Sequence, residues 1–197
     1  MHEKLLSHLY IRGKVTGLYN CHVMGLHSLM LQDEPGNRIR MFVATSAHAL
    51  YPAPGEDDMP LAVHPHHCDV TLINLYGSPV NHIYRRGQGP GEWAKCAYSS
   101  GVTGTPALTV VEDGLQMQRT DQHMLSATGT FMPASTLHAI SVPASSAAAW
   151  LVLEGQEDPN YESYCYTKNP KFDPAHLYQP MDKDEAKAVL RSVIEKK

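Results

Sequence analysis

Three histidines stand close together in the middle of the chain: His64, His66 and His67. His64 and His66 are two positions apart, so a strand would present both imidazoles on one face. Two imidazoles on one face can bind a single divalent metal through ring nitrogens if a neighbouring strand supplies a third ligand. His138, further along the chain, is our candidate for that third ligand. The predicted metal ligands are therefore His64, His66 and His138.

A second ligand set competes with the first. His67 and Asp69 form an H-x-D pair on the opposite face of the same predicted strand. With His138 they match the two-His-one-carboxylate triad of 2-oxoglutarate-dependent Fe(II) oxygenases. Only one face can look into a barrel, so the two sets exclude each other. Such oxygenases need a basic residue after the last histidine, and here the first one is Lys168, which weakens the alternative.

Two arginines and several tyrosines are candidates for substrate contacts. Arg38 and Arg40 alternate on a predicted strand and could hold an anionic group through bidentate contacts, although a solvated strand face is the simpler interpretation. Tyr161, Tyr164 and Tyr166 could pack over a barrel mouth, and one hydroxyl could act as an acid or orient a substrate. The catalytic candidates are therefore Tyr161, Tyr164, Arg38 and Arg40.

The other histidines are expected to be surface or hydrogen-bonded groups. The chain has 12 histidines, and those outside the two ligand sets are His2, His8, His22, His27, His48, His82, His123 and His176. Among them, His22 and His123 fall on predicted strands and are the best candidates to line a pocket.

Short strands dominate the predicted secondary structure. Glycine and proline, 14 of each, divide the chain into short segments with strand patterns. Residues 25–32 and 39–44 flank a Pro35-Gly36 turn and predict a hairpin. The histidine cluster lies on a predicted strand at 61–76, and a loop is expected over about 85–106. Further strands are expected at 107–111, 115–119 (after a turn at Asp113-Gly114), 123–127, 137–142 and 147–153.

Helices are expected only near the two ends. Leucines at helical spacing predict a short N-terminal helix, and residues 182–197 carry the apolar stripe of an amphipathic helix. Asp182 and Glu185 resemble a capping box at its start. The Pro- and Tyr-rich segment before it is expected to lie extended over the body. We expect one domain over 1–197, with a barrel at about 12–155, the extended segment at 156–181 and the helix at 182–197.

Two sequence motifs resemble those of the cupin superfamily. The stretch HPHHCDVTLINLYG begins with the H-x-H of the first motif and ends at its glycine, Gly77, but Val70 stands in the usual glutamate place and Asp58 in that of the leading glycine. The stretch PASTLH resembles the second motif, with Ser135 for glycine and His138 as the histidine. The resemblance implies an all-β, cupin-type double-stranded β-helix (jelly-roll) barrel.

The resemblance also narrows the chemistry. Because Val70 cannot bind metal, the implied site has three histidines and no carboxylate. Three-His iron sites occur among cupins in thiol dioxygenases and in some ring-cleaving or diketone-cleaving dioxygenases. The words VHPHH, PASTLH, AAAWLVLEG and Tyr164-Cys165-Tyr166 resemble the cysteamine/cysteine-oxidase type of thiol dioxygenase. We therefore expect a dioxygenase that uses one divalent metal, most simply Fe(II), and that acts on a small molecule and O2. A thiol is the first substrate to consider.

Other functions remain open at this point. Imidazole ligands also suit Zn, Mn, Ni or Cu, so a non-oxidative isomerase, lyase or hydrolase could use the metal as a Lewis acid. A non-catalytic ligand-binding cupin is a third alternative. Cupins commonly pair as dimers, so a homodimer is also considered.

Composition and sequence pattern disfavour some classes of partner. The net charge of −4 disfavours a broad nucleic-acid surface. The longest apolar run, 147–153, is far shorter than the ~20 residues of a membrane span. The N-terminus lacks a signal-peptide pattern. The 4 cysteines form no C-x-x-C pair and are expected to be reduced thiols of a cytoplasmic protein.

Overall fold

The computed structural model describes residues 2–22, 25–45, 63–99, 107–143, 146–171 and 177–196. The described strand pairs are all antiparallel. The elements in chain order are α1 (His2–Arg12), β1 (Thr16–Tyr19), β2 (Leu26–Gln32), β3 (Arg38–Ala44), β4 (Val70–Tyr76), β5 (Val80–Ser99), β6 (Ala107–Met124), β7 (Thr130–Met132), β8 (Leu137–Ser141), β9 (Ala148–Glu154), β10 (Tyr164–Thr167), β11 (Gln179–Pro180) and α2 (Lys183–Glu195).

Eight segments form a jelly roll. One sheet contains the order β3-β9-β4-β7. In the other, the bridge segment at 63–64 lies beside β8, β8 beside β5, and β5 beside β6. In chain order the eight segments are β3, 63–64, β4, β5, β6, β7, β8 and β9. The first pairs with the eighth (β3 with β9), the second with the seventh (63–64 with β8), the third with the sixth (β4 with β7), and the fourth with the fifth (β5 with β6). This nested pairing is the double-stranded β-helix, so the expected jelly-roll fold is confirmed.

Further strands widen both sheets. The β2–β3 hairpin expected around Pro35-Gly36 is present, and β2, β1 and β11 extend the first sheet beyond β3. The strand β10 pairs with the second half of β5. Both β10 and β11 come from the segment 156–181, which therefore contributes a strand to each sheet.

The strand β9, in the middle of the first sheet, is buried on both faces. Along β9, Trp150 packs into the barrel interior while Leu151 packs under the two helices. A strand covered on both sides needs apolar side chains at successive positions, which accounts for the continuous apolar run at 147–153. The helix side of this sheet is filled from α1 by Leu6 and from α2 by Leu190 and Val193.

The start of α2 agrees with the sequence prediction. The Asp182 carboxylate accepts from the backbone N–H groups of Asp184 and Glu185, and the Glu185 carboxylate accepts from the Asp182 N–H. This reciprocal capping box satisfies amides that the first helical turn leaves without partners.

Three sequence predictions about strands are wrong. The expected loop at 85–106 is instead part of β5 as far as Ser99, because register shifts between Arg86 and Trp93 absorb the glycines and the proline as bulges. The strand β6 is continuous from Ala107 to Met124, where separate short strands were expected, and Gly114 adopts a positive φ within it. Within the described part of the strand expected at 61–76, a bridge at 63–64 and a bend at 67–68 come before the regular strand, which begins at Val70.

Candidate metal centre

Backbone pairing brings His64, His66 and His138 together. His64 and His138 form an antiparallel bridge with reciprocal N–H···O=C bonds of 3.0 and 3.1 Å. The His66 N–H donates to the Ala134 carbonyl at 2.9 Å, which holds the segment along the approach to β8. The convergence thus comes from pairing with β8. It does not come from a regular strand through 64–70, as the sequence alternation suggested.

The three imidazoles could ligate one ion. One ring nitrogen from each lies within 4.8 Å of the others. The Nε2 atoms of His66 and His138 are 2.8 Å apart. Two imidazole nitrogens bound at about 2.1 Å, at a right angle to each other, lie about 3 Å apart. This pair already has the spacing of adjacent ligands.

Asn81, on β5, sets the orientation of His138. Its Oδ1 accepts from Nδ1 of His138 at 2.7 Å. Because the proton is on Nδ1, the lone pair of Nε2 is directed toward His66. Metal-binding histidines usually have such a hydrogen bond on their other nitrogen. Asn81 was not among the sequence candidates, because no motif marks it and only the β5–β8 register places it beside His138.

The site environment keeps two of the three imidazoles neutral. Burial, followed by the neighbouring imidazoles of His64 and His67, lowers the pKa of His66 to about 3. Burial also lowers the pKa of His138 well below its ordinary value, with His66 and His64 acting in the same direction. Both residues are therefore neutral near pH 7, and neutral imidazole is the metal-binding form.

A cavity of about 360 Å³ opens beside His64 and His66. Most of its wall is aromatic or apolar, and Arg40, Glu154 and His67 form a polar part. The lining residues are Leu18, Cys21, His22, Arg40, Phe42, His64, Pro65, His66, His67, Tyr98, Val152, Glu154, Tyr161, Ser163, Tyr164, Cys165 and Tyr178. A small, mainly apolar pocket with a few polar groups is typical of ligand sites.

His22 lies directly against the candidate ligands. Its ring stacks on His64 with centroids 4.7 Å apart, and its Nδ1 is 2.9 Å from the Tyr178 hydroxyl. It lies after the end of β1 with a positive φ of 68°. The expectation that His22 lines a pocket fits this position, although it is not on a strand. His123 lies on β6 and is not among the lining residues of this cavity.

The catalytic candidates are distributed unequally around the cavity. Tyr161, Tyr164 and Arg40 line it, and the Tyr161 hydroxyl donates to the Pro65 carbonyl at 3.1 Å. Burial raises the pKa of Tyr161 to about 12, so this hydroxyl keeps its proton. Arg38 lies outside the lining and pairs with Asp33 and Glu157.

The structure does not bring the alternative ligand set together. His67 lies near Glu154, with its Nε2 3.8 Å from Oε2. The Asp69 carboxylate is exposed and accepts from the Ala134 N–H at 2.8 Å. Within the described residues, neither joins a group of ligand atoms around His138.

Glu154 is a buried acid that sequence reasoning did not select. It lies directly opposite Val70 in the β4–β9 ladder, beside the place where the cupin motif usually has glutamate. Its Oε1 accepts from Nε of Arg40 at 2.8 Å, so the carboxylate is paired with a cation. The available signal was a charged residue at the end of an apolar strand, but only strand pairing places it at the cavity.

Comparison with known proteins finds likenesses in structure alone. No protein-family model and no curated protein matches the chain. CapF, a capsular polysaccharide assembling protein from Staphylococcus aureus, has a TM-score of 0.40 and 9% identity, over 71% of this chain and 31% of that chain. HEPD from Streptomyces albus, with 2-hydroxyethylphosphonate and Fe(II) bound, has a TM-score of 0.37 and 12% identity, over 74% and 25%.

A smaller protein gives a more complete overlap. An RmlC-like cupin protein from Ralstonia eutropha JMP134 has a TM-score of 0.34 and 11% identity, over 92% of this chain and 82% of that chain. By contrast, this chain spans less than a third of the length of the CapF and HEPD chains. The jelly-roll assignment rests on the strand order described above and not on these likenesses.

Membrane-spanning helices are not found among the described residues. Neither α1 nor α2 has the length and apolar character needed to cross a bilayer.

Proposed function

We propose that this jelly roll binds one divalent metal through His64, His66 and His138 and catalyses Fe(II)-dependent dioxygenation of a small molecule. The observation that carries the proposal is the convergence of three imidazoles beside a cavity, two of them held neutral by burial. Asn81 supports it further by fixing the tautomer of one candidate ligand.

The donor set suits a transition metal with open coordination positions. Three neutral nitrogens bind Fe(II), and also Zn, Mn, Ni or Cu, and they leave room for exogenous ligands. When bound, Fe(II) would supply a redox-active centre at which O2 and substrate are held together. The absence of a carboxylate at position 70 leaves the positive charge of the metal undiminished, which favours binding of an anionic substrate atom such as a thiolate.

The chain's own residues would bind and orient the substrate. The aromatic wall excludes water from an apolar substrate body, while Arg40 and Glu154 form one polar patch. The Tyr161 hydroxyl, held on the Pro65 carbonyl, ties the wall to the backbone between the two histidines. A cavity of about 360 Å³ admits a compact molecule, and small thiols are the first class to test.

Oxygen consumption tests the reaction. The full-length chain is loaded with Fe(II) anaerobically, and O2 uptake is followed with a panel of small aliphatic and aromatic thiols. We expect uptake with at least one thiol, and its loss in His138→Ala but not in His8→Ala, an exposed histidine of α1. Bound iron without uptake across the panel would reject the thiol substrate, and absence of bound iron would reject the Fe(II) site.

The same donor set favours one second candidate function. Because the three ligands carry no negative charge, a bound Zn, Mn or Ni would be a strong Lewis acid, as an isomerase, lyase or hydrolase requires. Metal analysis of protein purified without added metal separates the two. Iron supports the dioxygenase, and a stoichiometric redox-inert metal supports the Lewis-acid enzyme.

A further inference from the structure

A second group of metal-ligating side chains lies beside the three histidines. A ring nitrogen of His67, Sγ of Cys68 and a carboxylate oxygen of Glu154 all lie within 4.8 Å of one another. The proposed three-His site uses none of them. The two groups share no ligand, and they are neighbours because His67 directly follows His66 in the chain.

Local backbone geometry explains how consecutive residues reach the same point. His67 and Cys68 lie in a bend, where successive side chains need not take opposite directions as they do in a strand. The Gly155 N–H donates to the Asp69 carbonyl at 2.9 Å and joins this segment to the end of β9. Glu154, the last residue of β9, is thereby held against the bend.

Two of the three side chains have buried polar atoms that make no hydrogen bond to the described residues. The Glu154 side chain is only 6% exposed, and its Oε1 is bound by Arg40. Its Oε2 and the Nε2 of His67 are both buried and make no hydrogen bond within the described chain. They lie 3.8 Å apart, too far for a hydrogen bond to each other. A buried carboxylate oxygen left without a partner is costly, and a bound cation would satisfy both atoms.

An ion pair is the competing explanation for the same atoms. A protonated His67 could pair with Glu154 and with Glu157, whose Oε1 lies 3.4 Å from Nε2. Glu157 is exposed and also pairs with Arg38, so it is a solvated contact. An ion pair gives no role to Cys68, whereas a metal site uses its sulfur. The cysteine therefore distinguishes the two explanations.

We propose that His67, Cys68 and Glu154 form a second cation site, of the kind that takes Zn²⁺. Mixed nitrogen, sulfur and oxygen ligands are those that zinc prefers. The Cys68 thiolate and the Glu154 carboxylate bring two negative charges to the divalent ion and to the Arg40 guanidinium that Glu154 already binds, which leaves one net positive charge. His67 and Glu154 also line the cavity, which gives the ion a path of entry. The site would fasten the bend at 67–68 to the end of β9.

Cobalt is the probe for this site because it reports its own ligands. The full-length chain, stripped of metal and kept reduced, is titrated with Co²⁺ while the near-ultraviolet thiolate-to-cobalt charge-transfer band is recorded. We expect two equivalents to bind and one of them to produce the band. The three-His site contains no sulfur and would bind cobalt without it.

Matched variants assign the band to its ligands. Cys68→Ala should lose the band and one equivalent, whereas Cys96→Ala, at a buried cysteine that does not line the cavity, should keep both. His67→Gln alters a partly exposed side chain and should also lose the band, which keeps the test valid if Cys68→Ala fails to fold. His138→Ala should lose the other equivalent and keep the band.

The outcomes separate this site from the proposed function. One equivalent without a band, removed by His138→Ala, overturns the second site and leaves the three-His site standing. A band that persists in Cys68→Ala or His67→Gln, or that disappears in Cys96→Ala, also overturns it. Failure to bind any cobalt overturns both sites.

Discussion

Asn81 and His138 are joined by a hydrogen bond that is closed off from solvent. The Asn81 amide oxygen lies 2.7 Å from Nδ1 of His138, and the two residues are 1% and 2% exposed. One residue is on β5 and the other on β8, so the pairing of these two strands places them side by side. It orients Nε2 of His138 toward Nε2 of His66, another ligand of the proposed metal site.

Replacement of Asn81 by leucine should weaken metal binding. Asn81→Leu keeps the size of the side chain but removes the acceptor, and we expect the affinity to fall by about 10–100-fold. Competition with a chelator of known affinity measures this change. Asn81→Asp keeps an acceptor and should retain most of the affinity. Equal affinities in Asn81→Leu and the unaltered protein would contradict the orienting role.

Replacement of Arg40 should destabilise the fold because it leaves a buried carboxylate without its partner cation. Arg40→Met leaves the buried Glu154 carboxylate without its cation, which we expect to lower the free energy of unfolding by about 3 kcal/mol. Urea denaturation of the metal-free protein measures it. The surface pair Arg86–Glu112 is a control, and Arg86→Met should change stability little.

A double replacement tests whether the unpaired charge of Glu154 causes the Arg40 effect. Adding Glu154→Leu to Arg40→Met removes the unpaired carboxylate, so the double variant should be more stable than Arg40→Met alone. If the two variants were equally unstable, lost packing of the arginine would explain the result better than charge.

Alkaline conditions should destabilise the protein through its buried thiols. Burial raises the pKa of Cys21 and of Cys165 from 9.0 to about 12. Above pH 9 the unfolded chain releases these protons while the folded chain keeps them. The free energy of unfolding is therefore unaffected by these thiols below pH 9, and it falls as the pH rises from 9 toward 12. Each thiol contributes a fall of about 1.4 kcal/mol per pH unit.

Cys165→Ala isolates one of these thiols. Between about pH 9 and pH 10, the free energy of unfolding of this variant should fall less steeply than that of the unaltered protein. The difference in slope is the contribution of one thiol proton. Urea unfolding at both pH values gives the slopes. Identical slopes would show that Cys165 ionises in the folded protein as readily as in the unfolded chain.

The capping box of α2 should have a measurable effect on stability. Asp182→Ala removes the acceptor for two amides of the first turn, and we expect a loss of about 1 kcal/mol. Asp184→Ala removes an acid from the same turn without removing the cap, and it should cost less. Thermal unfolding compares the two, and equal losses would argue against the cap.

The sequence was most informative where a signal is local. The hairpin around Pro35-Gly36 and the capping box of Asp182 and Glu185 depend on residues a few positions apart, and both are present in the structure. The jelly roll followed from motif resemblance and from many short strand patterns. The sequence was misleading in β5, because bulges accommodate glycine and proline inside a strand and depend on the partner strand.

The types of the candidate ligands were determined by the sequence, but their arrangement was decided by the tertiary structure. The spacing of His64 and His66 left open which face would meet His138, since the answer depends on pairing with a strand about 70 residues away. Asn81 and Glu154 lie at the site only because β5 and β9 each pass beside it. Strand register acts over such distances, and side-chain alternation within one segment cannot encode it.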